Sequence, residues 1–339
     1  MTKPDSPTQE VSSPENLYTP AFWTLCTSSV LFMMSFSMIL PELPEYLTSM
    51  GGEQYIGFIV GLFTVSAGLS RFWSGRLAER SGRVKVMLFG TIISMVCGFL
   101  YPFAVTIYLF LALRLLHGLS TGWRPIGATA YLADIAPSGK IGEAMGYLGI
   151  AGSTGMALGP AIGSFIKEEA SFNAMFITAG VVGLVSFLMT LRLPESLVKS
   201  RTPKWQDFNI FKGRSLNWQA WQPSVVTLFD TYAFGVVITM YPILVDHLGF
   251  KYKGLFQLVI VVSSIGMRFI AGKASDRRGR LPVLVWGMIC VSIAMFIMGF
   301  SETAAHALFG AVIYGIAIGI NRPTIFAWTA DTARPGEVA

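Results

Sequence analysis

Long runs of uncharged, mostly apolar residues recur along the whole of this 339-residue chain. A helix needs about 20 such residues to cross the hydrocarbon core of a membrane, which is roughly 30 Å thick. Charged residues make up only 13% of the chain, about half the share found in an average soluble domain. We therefore predict an all-α, multi-pass membrane protein whose ten spans cover residues 21–41, 55–73, 86–101, 106–132, 143–166, 172–192, 223–245, 254–272, 282–301 and 305–330.

The positions of the basic residues predict an orientation. If the N-terminus is cytoplasmic, seventeen of the 25 Lys and Arg residues fall in the inward-facing connections. Only Lys167, Lys251 and Lys253 fall in the outward-facing connections, an asymmetry that the positive-inside rule describes. The formal net charge of +6 then reflects membrane topology, and we expect no nucleic-acid partner.

The types and spacing of the reactive residues argue against several kinds of chemistry. The three cysteines lie inside apolar runs, and the three histidines form no metal-ligand spacing with them. No G-x-x-x-x-G-K-[ST] segment is present to hold a nucleotide phosphate. No cluster of catalytic side chains gathers at one interface, so we expect no enzyme, no metal and no cofactor. The energy for any transport is expected to come from an ion gradient.

An internal repeat predicts the architecture. The segment GRLAERSGR at 75–83 aligns without a gap on GKASDRRGR at 272–280, which lies 197 residues later. Self-similarity at a fixed offset is typical of duplicated structural units, so we predict two homologous halves. The expected organisation is a cytoplasmic tail at 1–20, a six-helix bundle at 21–192, a cytoplasmic linker at 193–222 and a second bundle at 223–339.

The length of the second half leads to a further expectation. At the offset of 197, the last residue of the chain corresponds to position 142 of the first half, just before the fifth span. We therefore expect ten of twelve helices, with the second bundle incomplete and the sequence truncated after its tenth helix.

The repeated segment resembles the loop G-x-L-A-D-R-x-G-R between the second and third helices of the major facilitator superfamily. Glu79 replaces the Asp of that loop, and the second copy keeps Asp276 but has Ala274 in place of Leu. The resemblance implies two pseudo-symmetric six-helix bundles about a central cavity, which work by alternating access. An ordinary positively charged cytoplasmic loop is the alternative interpretation.

This loop is expected to hold one conformation closed. A carboxylate at the C-terminal end of a helix opposes the helix dipole and needs a compensating charge. We therefore predict that Asp134 pairs with Arg76, Arg80 or Arg83, and that Asp331 pairs with Arg277 or Arg280. The expected conformational residues are Gly75, Glu79, Arg80, Gly82, Arg83, Asp134, Gly272, Asp276, Arg277, Gly279, Arg280 and Asp331.

The fourth span contains RLLHGLSTG, which resembles the R-x-x-q-G motif of the drug:proton antiporter branch of that superfamily. Arg114 and Gly118 match the motif, and His117 stands at the Gln position. An arginine at membrane depth is costly and usually faces the protein interior or a watered cavity. The resemblance implies a role in coupling, and an arginine that only pins two helices together is the alternative.

The fifth span contains GMALGPAIGS at 155–164, which is similar to the G-x-x-x-G-P-x-x-G-G signature of the same antiporter branch. Gly155, Gly159 and Gly163 recur every four residues and share one helix face, and Pro160 removes a backbone hydrogen bond. We expect a helix-packing surface with a weak point. Ordinary small-residue packing between membrane helices is the alternative.

Asp230 is the only charged residue of the seventh span. An acid in a membrane span can carry a proton or attract a cationic cargo, with Arg114 adjusting it through a shared cavity. Because it lies only about 10 Å from the start of the span at 1.5 Å per residue, solvation near the inner surface is the alternative. The candidate cavity residues are His117, Arg124, Tyr232 and Phe234.

Three further acids are the next candidates for the proton carrier if Asp230 is not. Glu42 and Glu45 lie in PELPEYL at the outer end of the first span, and Glu143 begins the fifth. Acids at the end of a span usually sit at the membrane interface.

These resemblances imply a secondary transporter that exports a small amphipathic molecule or drug in exchange for protons. We expect a monomer in a bacterial inner membrane, with a small-molecule substrate, protons and lipid as its partners. The alternatives are a proton-coupled symporter for a nutrient such as a sugar, and a non-transporting receptor or scaffold.

Overall fold

The computed structural model describes residues 16–137, 139–197 and 221–332, and these residues form helices without any strand. The expected tail and linker therefore lie mostly outside the described residues. The helices are α1 (Pro20–Met38), α2 (Leu43–Ser49), α3 (Ile56–Ser81), α4 (Arg83–Leu100), α5 (Ile107–Ile135), α6 (Ile141–Glu169), α7 (Phe172–Leu191), α8 (Trp221–His247), α9 (Gly254–Arg278), α10 (Arg280–Gly299) and α11 (Ala304–Asp331).

The ten predicted spans correspond to these helices because α1 and α2 form one span. Pro41 and Pro44 lie at the break between them, where a short turn covers Leu40–Glu42. Proline lacks the amide hydrogen that a continuous helix needs, so the first span is interrupted at this point.

Local sequence signals set several helix ends. Thr106 and Ser171 accept hydrogen bonds from backbone amides in the first turns of α5 and α7, as N-cap residues do. Gly82 between α3 and α4 has φ of +128°, and Gly279 between α9 and α10 has φ of +87°. Only glycine adopts these backbone angles without strain, so the repeated glycine allows each sharp turn.

Seven of the described helical segments are long and apolar enough to cross a membrane, and α9, which is bent by 44°, makes eight. The two other long helices are α5, which packs against α3 and α4, and α6, which packs against α1 and α9. Helix α5 also carries Arg114 and Arg124 within its length. These two helices are therefore harder to identify as membrane spans from length and apolarity alone.

The two halves pack their helices in the same way. A Cβ added at Gly118 of α5 would lie 2.2 Å from the carbonyl oxygen of Phe63 in α3. A Cβ added at Gly315 of α11 would lie 2.3 Å from the carbonyl oxygen of Ile260 in α9. The residues of the second contact lie 197 positions after those of the first, which is the repeat offset. The duplication seen in the sequence is therefore also present in the helix packing. We refer to α1–α7 as the first half and to α8–α11 as the second half.

Candidate functional site

Helix α6 of the first half packs against α9 of the second half. A Cβ added at Gly254, the first residue of α9, would lie 1.8 Å from the carbonyl oxygen of Pro160. Farther along α9, Nη1 of Arg268 donates a hydrogen bond to Oγ of Ser153 at 2.7 Å. Residue numbers rise along α9 as they fall along α6, so the two helices are antiparallel.

This arrangement defines the two ends of the molecule. The C-terminal end of α9 lies beside the N-terminal end of α6, and α5 ends just before α6 begins. Segments 75–83 and 272–280 therefore lie on the same side, as the repeat predicts. We call this side the Asp134 end, and the opposite side, where α2 and the N-terminus of α9 meet, the Glu42 end.

The Glu42 end contains a carboxylate that is completely buried. Glu42 has 0% relative exposure, so its side chain is enclosed by the protein. Oε1 of Glu42 accepts a hydrogen bond from the Ser164 hydroxyl, which itself accepts a 2.7 Å bond from the Gly254 amide. The ammonium groups of Lys167 and Lys253 lie 3.9 Å and 4.0 Å from Oε2 of Glu42.

Glu45 makes the closer ion pairs at this end. Its carboxylate lies 2.7 Å from Nζ of Lys167 and also contacts Nζ of Lys253, so it joins lysines of the two halves. Lys253 additionally pairs with Asp246 at 2.9 Å. Burial lowers the pKa of Lys253, but its hydrogen bonds to Glu45 and Asp246, together with the negative charges of Glu42 and Glu45, outweigh this effect and the net shift is upward. The lysine is therefore a charged link across the interface.

The oxygens of Glu42, Glu45 and Glu168 lie within 4.8 Å of one another, a spacing that could hold a metal ion. Nζ of Lys167 lies 2.7 Å from Glu45 and 2.6 Å from Glu168. This ammonium group takes the position that a cation would occupy, so the geometry fits an ion-pair cluster.

The Asp134 end contains both predicted ion pairs. Nε of Arg83 lies 3.1 Å from Oδ2 of Asp134, and Nε of Arg280 lies 2.9 Å from Oδ2 of Asp331. Arg280 also pairs with Asp276. Each pair joins helices of one half only, and the two pairs occupy equivalent positions in the repeat.

The remaining loop residues differ in local space and exposure. A Cβ added at Gly75 or Gly272 would meet no atom within 4 Å. Glu79 and Arg277 are exposed, and Arg80 is half-buried.

Sequence reasoning missed an acid that completes the first copy of the loop. Glu195, which follows α7, accepts hydrogen bonds from the backbone amides of Arg83 at 2.7 Å and Val84 at 3.2 Å. The next residue, Ser196, donates to Asp134 at 2.7 Å. A carboxylate at the N-terminus of a helix is stabilising, so this segment fixes the start of α4. Both residues fall in the predicted linker, and their roles depend on contacts that span 112 positions for Glu195 and 62 positions for Ser196.

Arg114 lies at the centre of a buried hydrogen-bonded chain. Its Nε donates to the carbonyl oxygen of Ile59, and its Nη1 donates to the hydroxyl of Tyr101, both at 3.1 Å. The Tyr101 hydroxyl lies 3.2 Å from Nδ1 of His117, whose Nε2 lies 3.2 Å from the hydroxyl of Ser94. In this conformation Arg114 and His117 therefore join α3, α4 and α5.

Arg124 is the second buried arginine of α5. It donates to the hydroxyls of Ser29 at 2.7 Å and Ser28 at 2.9 Å, and its guanidinium carbon lies 5.0 Å from the ring centroid of Phe32. Its Nε has no hydrogen-bond partner among the described residues. Arg124 therefore attaches α5 to α1 and is 1% exposed.

Asp230 faces the interior of the second half. It is 5% exposed, so the alternative in which it is solvated is wrong for this conformation. Nδ2 of Asn321 in α11 donates to Oδ1 of Asp230 at 2.9 Å. The guanidinium carbon of the next residue, Arg322, lies 4.7 Å from the ring centroid of Phe234. Tyr232 points away from this group, since it lies two positions from Asp230 on the helix and is 72% exposed.

The two halves differ chemically at this position. Asp230 is equivalent to Phe32 at the offset of 198 that relates Arg322 to Arg124. In the first half the arginine stacks on the residue at this position, whereas in the second half the same position supplies a carboxylate held by Asn321. The acid of the seventh span is therefore a feature of one half alone.

The glycines of α6 pack α6 against α1. Cβ atoms added at Gly155, Gly159 and Gly163 would come too close to the α1 backbone to fit without a shift. The nearest main-chain oxygens would be those of Val30 at 2.4 Å, Met34 at 2.6 Å and Met38 at 2.0 Å.

The profile of the Major Facilitator Superfamily matches residues 25–339. The chain belongs to the Major Facilitator Superfamily. The chain is therefore a multi-pass membrane transporter, and the predicted membership of this superfamily is confirmed.

Drug-resistance proteins of the Major Facilitator Superfamily are among the relatives. The quinolone resistance protein NorA of Staphylococcus aureus (strain COL) is 23% identical over 310 residues, which cover 89% of this chain and 79% of NorA. The multidrug resistance protein MdtG of Serratia proteamaculans (strain 568) is 30% identical over 311 residues, which cover 86% of this chain and 74% of MdtG. These relatives agree with the predicted drug:proton antiporter branch.

Solved structures of the Major Facilitator Superfamily share the fold. The human organic anion transporter MFSD10 has a TM-score of 0.68 at 17% identity, with coverage of 91% of this chain and 85% of MFSD10. The xylose transporter XylE of Escherichia coli, in a partially occluded inward-open conformation, has a TM-score of 0.70 at 18% identity, with coverage of 92% and 84%.

Proposed function

We propose that this protein exports a small amphipathic molecule from the cytoplasm in exchange for protons. Its relatedness to NorA and MdtG over most of their lengths supports drug efflux. The cargo is expected to bind between the two halves, because cavities at such interfaces hold the substrates of transporters with repeated bundles.

The polar contacts at the two ends support alternating access. At the Glu42 end, Lys253 and Gly254 of the second half bond to Glu45 and Ser164 of the first half. At the Asp134 end, the ion pairs of Arg83 and Arg280 stay within one half each. Polar contacts therefore join the two halves at the Glu42 end, as expected for an alternating-access transporter that is closed at that end. The positions of the basic residues in the sequence favour a cytoplasmic Asp134 end, so we propose that this conformation faces inward.

The observation that carries the proton-coupling proposal is the setting of Asp230. It is buried, and its carboxylate is held by the neutral amide of Asn321 at 2.9 Å. Buried intramembrane carboxylates of this kind are typical of proton relays in transporters. We infer that Asp230 binds and releases the coupled proton.

The cargo-contacting residues follow from the same geometry. Phe234 and Arg322 lie beside Asp230 and are only half-buried, so they can be reached by a bound molecule. His117 and Arg124 are 1% exposed. We therefore assign the aromatic and cationic contacts with cargo to Phe234 and Arg322, and helix-positioning roles to His117 and Arg124.

Transport in vesicles tests this function. The protein in inside-out vesicles would be supplied with ethidium and other amphipathic dyes while an imposed pH gradient makes the lumen acidic. Export by proton antiport predicts dye accumulation that collapses when the gradient is removed. Accumulation only under the opposite gradient would indicate symport, and an absence of flux for every dye would contradict the proposal.

A further inference from the structure

The ion-pair cluster at the Glu42 end has more acids than bases. Four carboxylates share two ammonium groups, which gives a formal charge of −2 if every group is ionised. The members are Glu42, Glu45, Glu168, Asp246, Lys167 and Lys253. Like charges confined in one site favour uptake of a proton by one of the acids.

Glu42 is the acid of the cluster whose surroundings stabilise a negative charge least. It is 0% exposed, whereas side chains of Glu45 and Asp246 are 33% and 57% exposed. Its Oε2 has no hydrogen-bond partner among the described residues, and the nearest ammonium groups are 3.9 Å and 4.0 Å away. Glu45 has direct contacts with both lysines. A buried charge without a close partner costs far more than a paired one.

We propose that Glu42 is a second proton-binding site, which is occupied when the Glu42 end is closed and empties when that end opens. The groups that face it are Ser164, Lys167 and Glu168 of α6, Glu45 of α2, and Lys253 before α9. Ser164 can serve both states, because its hydroxyl donates to the ionised acid or accepts from the protonated one.

This site is distinct from that of Asp230. Glu42 lies at the break of the first span and contacts both halves, whereas Asp230 lies in α8 and contacts Asn321. The proposal rests on the alternating-access part of the proposed function, and it does not require that Asp230 carries the coupled proton.

The sign of the pH dependence follows from linkage. The closed end binds the proton more tightly than the open end, where water surrounds and stabilises the ionised acid. Acidification therefore favours the closed end, and a rise in pH favours the open end. For one proton, the ratio of closed to open molecules changes by up to about tenfold per pH unit.

Distances between spin labels test this directly. Cysteines introduced at the exposed positions Ser49 in α2 and His247 in α8 would carry the labels, with the three native cysteines replaced by alanine. The label-to-label distance distribution reports the closed and open populations across a pH series. We expect the closed fraction of the otherwise unchanged protein to rise as the pH falls.

Substitutions of Glu42 and Glu45 should shift the closed fraction in opposite directions. Glu42→Gln keeps the shape of the side chain and imitates the protonated acid, so the closed fraction should stay high at every pH. Glu45→Gln removes the direct ion pairs of Lys167 and Lys253, so the closed fraction should fall. The proposal is overturned if Glu42→Gln keeps the original pH response, or if both variants shift the population in the same direction.

The variant Asp230→Asn separates this proposal from the proposed function. It should lose proton-driven export but keep the pH response of the label distances. If Asp230→Asn retains export, the assignment of the coupled proton to Asp230 fails while the Glu42 site stands. If Asp230→Asn abolishes the pH response of the distances, the Glu42 proposal fails.

Discussion

The substitution Gly254→Ala is expected to hold the Glu42 end open. The added methyl group would lie 1.8 Å from the carbonyl oxygen of Pro160 and 2.2 Å from its carbonyl carbon. Both partners are backbone atoms, so no side-chain rotation can relieve the contact. Because real Cβ contacts below 3.0 Å are essentially absent, α6 and α9 would have to separate by about 1 Å.

The magnitude follows from the cost of overpacking. Inserting a methyl group into a close-packed interface costs typically about 1–3 kcal/mol. The separation would also stretch the 2.7 Å hydrogen bond from the Gly254 amide to Ser164. Since both contacts exist only when the end is closed, the full cost falls on that conformation. The ratio of closed to open molecules should fall by about 5- to 150-fold.

The assay is the same pair of spin labels at Ser49 and His247. The control is Gly266→Ala in the same helix, where an added Cβ would meet no atom within 4 Å, and it should leave the distances unchanged. A Gly254→Ala protein that shows the closed distance distribution of the parent would refute the assignment of this seam as the closing contact.

Three further substitutions give separate expectations. Gly163→Ala places a methyl group 2.0 Å from a backbone oxygen, so it should lower the free energy of unfolding by about 1–3 kcal/mol. The control is Gly152→Ala, whose added methyl group meets no atom within 4 Å. Thermal unfolding in detergent measures this difference, and equal stability of the two variants would contradict the close packing of α6 against α1. Asp134→Asn removes a partly exposed ion pair, so it should cost at most about 1 kcal/mol of stability. It should nevertheless slow dye transport in vesicles, and unchanged transport would exclude a conformational role for Asp134. Arg114→Lys removes the separate Nε and Nη1 donors that bond to the Ile59 carbonyl and to Tyr101, so it should lower the unfolding temperature. An unchanged value would argue against its helix-joining role.

The sequence was sufficient to predict the features that repeat. The span pattern depends on local composition, and the ion pairs of Asp134 and Asp331 follow from one rule applied at equivalent positions of the two halves. The glycine turns at Gly82 and Gly279 are also local, because a positive φ requires a residue without a Cβ.

The features that sequence reasoning missed depend on contacts across long distances in the chain. Nothing near Glu42 indicates that it is buried against Ser164, which lies 122 positions away. Asn321 lies 91 positions from Asp230, and in sequence it resembles any other polar residue of an apolar helix. Tyr232 was grouped with Asp230 by proximity in the chain, but residues two positions apart on a helix point in different directions.

The most direct test of the account measures protons released when cargo binds. The protein in weakly buffered detergent solution would be mixed with the dye that it transports most strongly, and the pH change would be compared with that of Asp230→Asn. Because the variant keeps the shape of the side chain and a hydrogen bond to Asn321, dye affinity should change by no more than about tenfold. If Asp230 carries the coupled proton, the parent protein should release protons and Asp230→Asn should release none. Equal proton release by both proteins at saturating dye would contradict the assignment of Asp230 as the group that couples proton and cargo.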